Sequence, residues 1–118
     1  MIKEIRIGLS KWRNTMTKRR KKLNKEFKIG SIIIRYDRTI ENHIAKHNVK
    51  ISEIARCLEG DYLMKRIGGK DWMIIVQCPY SGRFLTIFLE QLRRLEFRLK
   101  TARDSTNQEK GLYKKRVR

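Results

Sequence analysis

Four cations in the C-terminal half, Arg83, Arg98, Lys100 and Arg103, occupy positions from which they could converge on one side of a sheet. Arginine makes planar, bidentate contacts to phosphate oxygens and keeps its charge at all working pH values, so it stabilises developing negative charge better than it donates protons. With His47 or Tyr113 as the titratable group, such a set suits metal-free cleavage of RNA. In that reaction the ribose 2′-hydroxyl attacks the adjacent phosphate. It needs a base for the hydroxyl proton, cations for the phosphorane charge and an acid for the leaving oxygen. The catalytic candidates are therefore Arg83, Arg98, Arg103 and His47. On chemistry alone, the same basic residues read equally well as a surface that only holds RNA.

Two other chemistries find less support. His43 and His47 are four apart and so share one helix face at a spacing that can hold a metal. Ile44 occupies the position where a zinc protease carries its general-base Glu, and no cluster of Cys or carboxylates supplies further ligands. A pair of surface histidines is the preferred reading. Asp71 and Glu96 loosely echo metal-dependent nucleases, in which an acidic residue is followed by a strand bearing Glu-x-Lys. Here Arg98 stands in place of that Lys, and Glu96 reads as a solvated residue offsetting Arg94 and Arg98. Phosphate-binding loops, serine nucleophile elbows and CxxC pairs are absent. Neither a metal nor a cofactor is expected.

These residues must be positioned by secondary structure. Strand alternation over Leu95 to Thr101 sends Leu95, Phe97, Leu99 and Thr101 toward a core and Glu96, Arg98 and Lys100 to the uncovered face, with Arg103 just beyond the strand end. Upstream, Ile32 to Tyr36 reads as a strand. Asp37 is an N-cap for a helix over Arg38 to His47, which Asn48 would stop in a left-handed conformation. A second helix spans Ser52 to Leu58 and stops at Gly60. Tyr62 to Arg66, Trp72 to Gln77 and Arg83 to Leu89 follow as strands joined by short Gly-containing turns, hence antiparallel hairpins. A last helix opens near Asp104 and carries Glu109, Tyr113 and a basic tail. The order predicts an α+β fold: an antiparallel sheet, two N-terminal helices packed on one face, and a C-terminal helix.

Charge is the largest compositional bias. The 118 residues hold 30 Lys and Arg against 12 Asp and Glu, a net charge of +18 with both histidines neutral. Self-repulsion on that scale calls for a polyanion partner, and nucleic acid is the commonest one in a cell. An anionic membrane surface and an acidic protein are the lesser alternatives. The excess lies at the ends: residues 1 to 30 carry 11 basic and 2 acidic side chains, whereas residues 31 to 91 carry 9 and 7. In the first segment Leu9, Trp12, Met16, Leu23 and Phe27 recur at spacings of three, four or seven around Lys18, Arg19, Arg20, Lys21 and Lys22. With Ser10 as a cap, this predicts a basic amphipathic helical arm over 1–30, ahead of a domain over 31–118. Its stripe could pack on the core while its charges face nucleic acid. Arg94, Lys100, Lys114, Lys115 and Arg116 join the arm as nucleic-acid-binding candidates.

The apolar runs Met73 to Val76 and Phe84 to Leu89 are broken by Pro79 and Gly82 and fall short of the roughly 20 residues that span a bilayer. No secretory signal pattern opens the chain, and Cys57 and Cys78 lack CxxC spacing. A soluble, cytoplasmic protein with reduced thiols is the expectation.

The segment from Phe97 through Thr101-Ala102-Arg103, Thr106 and Glu109 to Tyr113 resembles the C-terminal signature of BrnT toxins, in which a strand ends in Ser or Thr, Ala, Arg, followed by Thr, Glu and Tyr. Tyr36-Asp37 through Lys46-His47-Asn48-Val49 is similar to that family's Trp-Asp start and Lys-His-Gly-Val helix end, and Ser81 to Leu85 to its central hairpin. The resemblance covers about residues 31–113. It implies a RelE-like fold and a metal-independent ribonuclease toxin of a type II toxin-antitoxin system that blocks translation. RNA, including ribosome-bound mRNA, and a cognate antitoxin are the partners it implies, with DNA reached through the toxin-antitoxin complex. The alternative is a non-catalytic RNA- or DNA-binding protein, ribosome-associated or chromatin-like. Geometry separates the two: a toxin needs Arg83, Arg98 and Arg103 within reach of one phosphate, whereas a binder can scatter them.

Overall fold

The computed structural model describes residues 25–117, which form an α+β domain with a six-stranded mixed sheet and three helices. In chain order the elements are β1 (Lys25–Ile29), β2 (Ile32–Tyr36), α1 (Arg38–Ala45), α2 (Ile51–Cys57), β3 (Tyr62–Gly68), β4 (Asp71–Gln77), β5 (Phe84–Arg93), β6 (Glu96–Asp104) and α3 (Asn107–Val117). The sheet order is β1-β2-β6-β5-β4-β3. Among the described residues no helix is long and apolar enough to cross a membrane.

The sequence predicts an antiparallel sheet, but the sheet is mixed: β2 runs parallel to β6 with Ile34 opposite Phe97. Short turns force antiparallel neighbours. The two helices and three strands between β2 and β6 form a connection long enough to bring the chain back in the same direction.

Lys25–Ile29 is a strand, so the expected helical arm does not extend to Ile29, and the sheet begins ahead of residue 31. Phe27 and Ile29 alternate with Glu26 and Lys28, a period-two pattern that the helical spacing of Leu23 and Phe27 conceals. Gly30, at φ 59, is the first position of a two-residue hairpin loop that demands positive φ. The rest of the predicted arm, including Lys18, Arg19, Arg20, Lys21 and Lys22, lies outside the described residues.

α1 is capped as its sequence predicts: the Asp37 side chain accepts a hydrogen bond from the Ile40 amide at 2.8 Å. The helix ends at Ala45, two residues before His47, and the chain turns at Asn48 with φ 61. Substituting Asn48 with alanine should cost about 1 kcal/mol, because a Cβ without a local polar partner is disfavoured in this region. A melting temperature equal to wild type would show that the turn tolerates it.

Ile44, Ile54 and Leu58 pack with Ile34, Ile87 and Phe97 in the core, so α1 and α2 cover one sheet face. Along β6 the predicted row of core-facing side chains breaks after Leu99. Leu99 pairs with Leu89 and Thr101 with Phe88, which makes Lys100 an extra, bulged residue. Beyond it, buried Ala102 opposite Ile87 takes the core-facing place. Leu95 precedes the strand and is exposed.

The opposite face is covered at one end by α3, whose Tyr113 packs edge-on against Phe84 and donates its hydroxyl proton to the Asp61 carbonyl at 3.1 Å. This helix starts at Asn107, later than Asp104, because Thr106 is its cap. Thr106 Oγ1 accepts from the Glu109 amide and the Glu109 carboxylate accepts from the Thr106 amide.

Candidate nucleic-acid interface

Arg83 enters β5 from the turn after β4 and is consumed by the protein itself. Its Nε donates to Asp104 at 2.7 Å and its Nη1 to Glu53 at 3.0 Å. Nη1 and Nη2 also reach the Asn48 and His47 carbonyls at 2.8 and 3.3 Å. The side chain is therefore a clamp joining the α1–α2 turn, α2 and the end of β6, on the face that the helices cover. The hydrogen bond to Asp104, with Glu53 behind it, raises its already high pKa against the effect of burial.

Arg103 lies on the opposite face. Its two terminal nitrogens meet both oxygens of Glu109 at 2.9 and 3.0 Å, and its guanidinium stacks 5.1 Å above the Phe88 ring centre. Glu109 also accepts from the hydroxyl of fully buried Thr86 at 2.8 Å. The Arg103 hydrogen bonds, helped by the Thr106 amide and Thr86, hold the Glu109 carboxyl down at about 2 despite burial.

Arg98 and Lys100 share the open face, as strand alternation predicts, and both are paired. Arg98 Nε donates to Glu90 at 2.8 Å, and Lys100 reaches Asp71 at 3.1 Å. The face continues toward β2 with Glu96 bound by Arg35 and, at 3.1 Å, by Arg93. Asp71 and Glu96 thus answer to different cations rather than to each other. Among the described residues no group of three or more His, Cys, Asp or Glu could hold a metal ion.

The three arginines are dispersed: Arg83 beneath the helices, Arg103 against α3, and Arg98 farther along β6 against Glu90. The titratable candidates shift as well. Tyr113 is buried under α3, and His47 sits on the α1–α2 turn with its ring 5.5 Å from that of His43. The histidine that touches β6 is His43, with Nε2 3.1 Å from Thr101 Oγ1. The sequence does not single out His43, because its contact with β6 exists only once α1 is laid against the sheet. Both cysteines are free and buried, and burial followed by the hydrogen bond to Cys78 pushes the Cys57 thiol up to about 12.

Of the cations without a carboxylate partner among the described residues, one group lies around α3, while others such as Lys28, Arg38, Lys46 and Lys70 are spread over the rest of the domain. Lys114, Lys115 and Arg116 are exposed on α3. Lys110 and Lys114 each approach the Phe84 ring to 5.7 Å, and exposed Lys65 faces the helix from β3. Arg94 is exposed on the turn at the far end of β5. Lys65, Met73 and Phe88 escape a sequence reading because only the ladder shows that they form one row: Lys65 is opposite Met73, and Met73 is opposite Phe88. The alternation of Lys65 with apolar Met64 was the available signal.

No family model matches the chain, and neither a curated protein nor a solved structure matches it.

Proposed function

We propose that the protein binds nucleic acid, RNA foremost, through α3 and the adjoining open sheet face, and that it does so without cleaving it. The observation that carries this reading is the division of the cations. Arg83, Arg98, Lys100 and Arg103 are neutralised by carboxylates, whereas Lys65, Lys110, Lys114, Lys115 and Arg116 have no carboxylate partner among the described residues and lie around one helix. Unpaired exposed lysines gain from phosphate contact by releasing counterions, while an arginine already bound to Glu must first break that pair. Binding of a single-stranded RNA to the full chain should weaken by about 10²-fold between roughly 50 and 200 mM salt if about four phosphates are neutralised. Replacing Lys110, Lys114 and Lys115 together with glutamine should flatten that dependence. An affinity indifferent to salt would remove the electrostatic basis of the proposal.

A second reading, metal-independent RNA cleavage by a RelE-like, BrnT-like toxin held by an antitoxin, is favoured by one local arrangement. Arg98, Lys100 and Arg103 share one sheet face. The resemblance over Phe97 to Tyr113 supports it as well. Incubating purified protein with RNA in excess EDTA distinguishes the two. Intact RNA is the expected result. Cleavage that persists with chelator and falls with Arg98→Ala would favour the toxin.

A further inference from the structure

Between α3 and the edge hairpin β3–β4 runs a groove of about 740 Å³, within the about 300–1,000 Å³ typical of ligand sites. Its sheet side is formed by Lys65 and Met73, directly opposite each other in the ladder, and its helix side by Gly111, Leu112 and Lys115. The apolar floor is thus flanked by one lysine from each wall. Beyond Met73 the row continues to Phe88 under the Arg103 guanidinium. The one carboxylate lining the groove, Glu109, is already matched by Arg103.

Gly111 is the unexplained residue of this helix. A mid-helix glycine weakens a helix relative to alanine, and a Cβ here would meet nothing within 4 Å. Packing within the domain therefore does not call for it. What the missing side chain does provide is a flat, bare wall facing Met73.

We infer that this groove seats one unpaired base of a single-stranded RNA, flat against Met73, Gly111 and Leu112, with the neighbouring phosphates on Lys65 and Lys115. The inference rests on the nucleic-acid reading above and adds to it a strand state and a seat. A lysine on each side of an apolar floor suits the order of phosphate, base and phosphate along a strand, and apolar contact with a base face does not depend on which base it is. Gln108 at the groove margin can bond a base edge. A base stacked inside a duplex could not enter.

Fluorescence anisotropy with the full chain tests this on three labelled probes of equal length: a single-stranded RNA, its abasic ribose-phosphate counterpart, and duplex RNA. The single strand should bind roughly 5-fold more tightly than the abasic probe, the gain of apolar burial against an aliphatic floor. Gly111→Leu, which fills open space, should abolish that difference. Lys65→Glu, which leaves the helix untouched, should weaken both and serves as the second variant if Gly111→Leu fails to fold by circular dichroism. Equal binding of base-containing and abasic strands, tighter binding of duplex, or a folded Gly111→Leu that behaves as wild type would overturn the groove assignment while leaving nucleic-acid binding in place. Failure of every probe to bind would overturn the nucleic-acid reading and the groove with it.

Discussion

Replacing Glu109 with alanine should lower the stability of the domain by about 2 to 3 kcal/mol, because it removes the bidentate partner of a 34% exposed Arg103 together with the reciprocal cap of α3. The Glu109 side chain is only 16% exposed, and Arg103, Thr86 and the Thr106 amide all depend on it. Without it Arg103 loses both bidentate contacts, the buried Thr86 hydroxyl loses an acceptor and α3 loses its reciprocal cap. The same carboxylate makes stability pH-dependent. Its folded value of about 2 lies below the roughly 4.3 of an unfolded Glu, so its contribution is complete above about pH 5 and is lost as pH falls toward 2. Urea denaturation at pH 7, 4 and 3 should show falling stability for wild type and a flatter dependence for Glu109→Gln. A wild-type midpoint for Glu109→Ala at pH 7 would show that the network contributes little. Arg103→Ala is accordingly a poor probe of catalysis, since it orphans Glu109 and unsettles α3 whatever its effect on RNA.

The local features of this fold are legible in the sequence because their causes are local. Asp37 is three residues from the amide it caps, and Asn48 adopts the left-handed stop that its type allows. The turns at Gly68-Gly69 and Gly82 carry positive φ as their composition suggests. What the sequence hides is set at long range. Whether β2 pairs parallel or antiparallel depends on where β6 returns, and the bulge at Lys100 appears only when β5 is laid against β6. The candidate site follows the same division. The cationic excess is a matter of counting, yet the partners that neutralise Arg83 and Arg98, Glu53 and Glu90, become visible only in the folded chain. Glu109 is the exception. Its Thr106-x-x-Glu spacing is a local signature, and it marks the residue that also holds Arg103.

Arg83 decides between a structural clamp and a phosphate-binding arginine, and alanine at this position should destabilise the domain by about 2 to 3 kcal/mol. Hydrogen bonds to charged groups contribute about 1.5 to 3 kcal/mol each, but their sum does not apply because Asp104 is 69% exposed and water replaces its partner. The larger loss is at the α1–α2 turn, where the His47 and Asn48 carbonyls and Glu53 give up one shared donor. For a domain of this size the expected fall in melting temperature is roughly 10 °C or more. Arg83→Lys should recover less than half of it, since an ammonium lacks the planar fork that reaches two carboxylates and two carbonyls at once. RNA affinity, measured below the melting transition of the variant, should stay within about twofold of wild type, because four of the five guanidinium N–H groups are already bonded within the protein and the side chain is only 22% exposed. Thermal denaturation and RNA binding on the same two variants settle it. An Arg83→Ala protein that melts as wild type but no longer holds RNA would return Arg83 to the nucleic-acid site and reopen the cleavage reading.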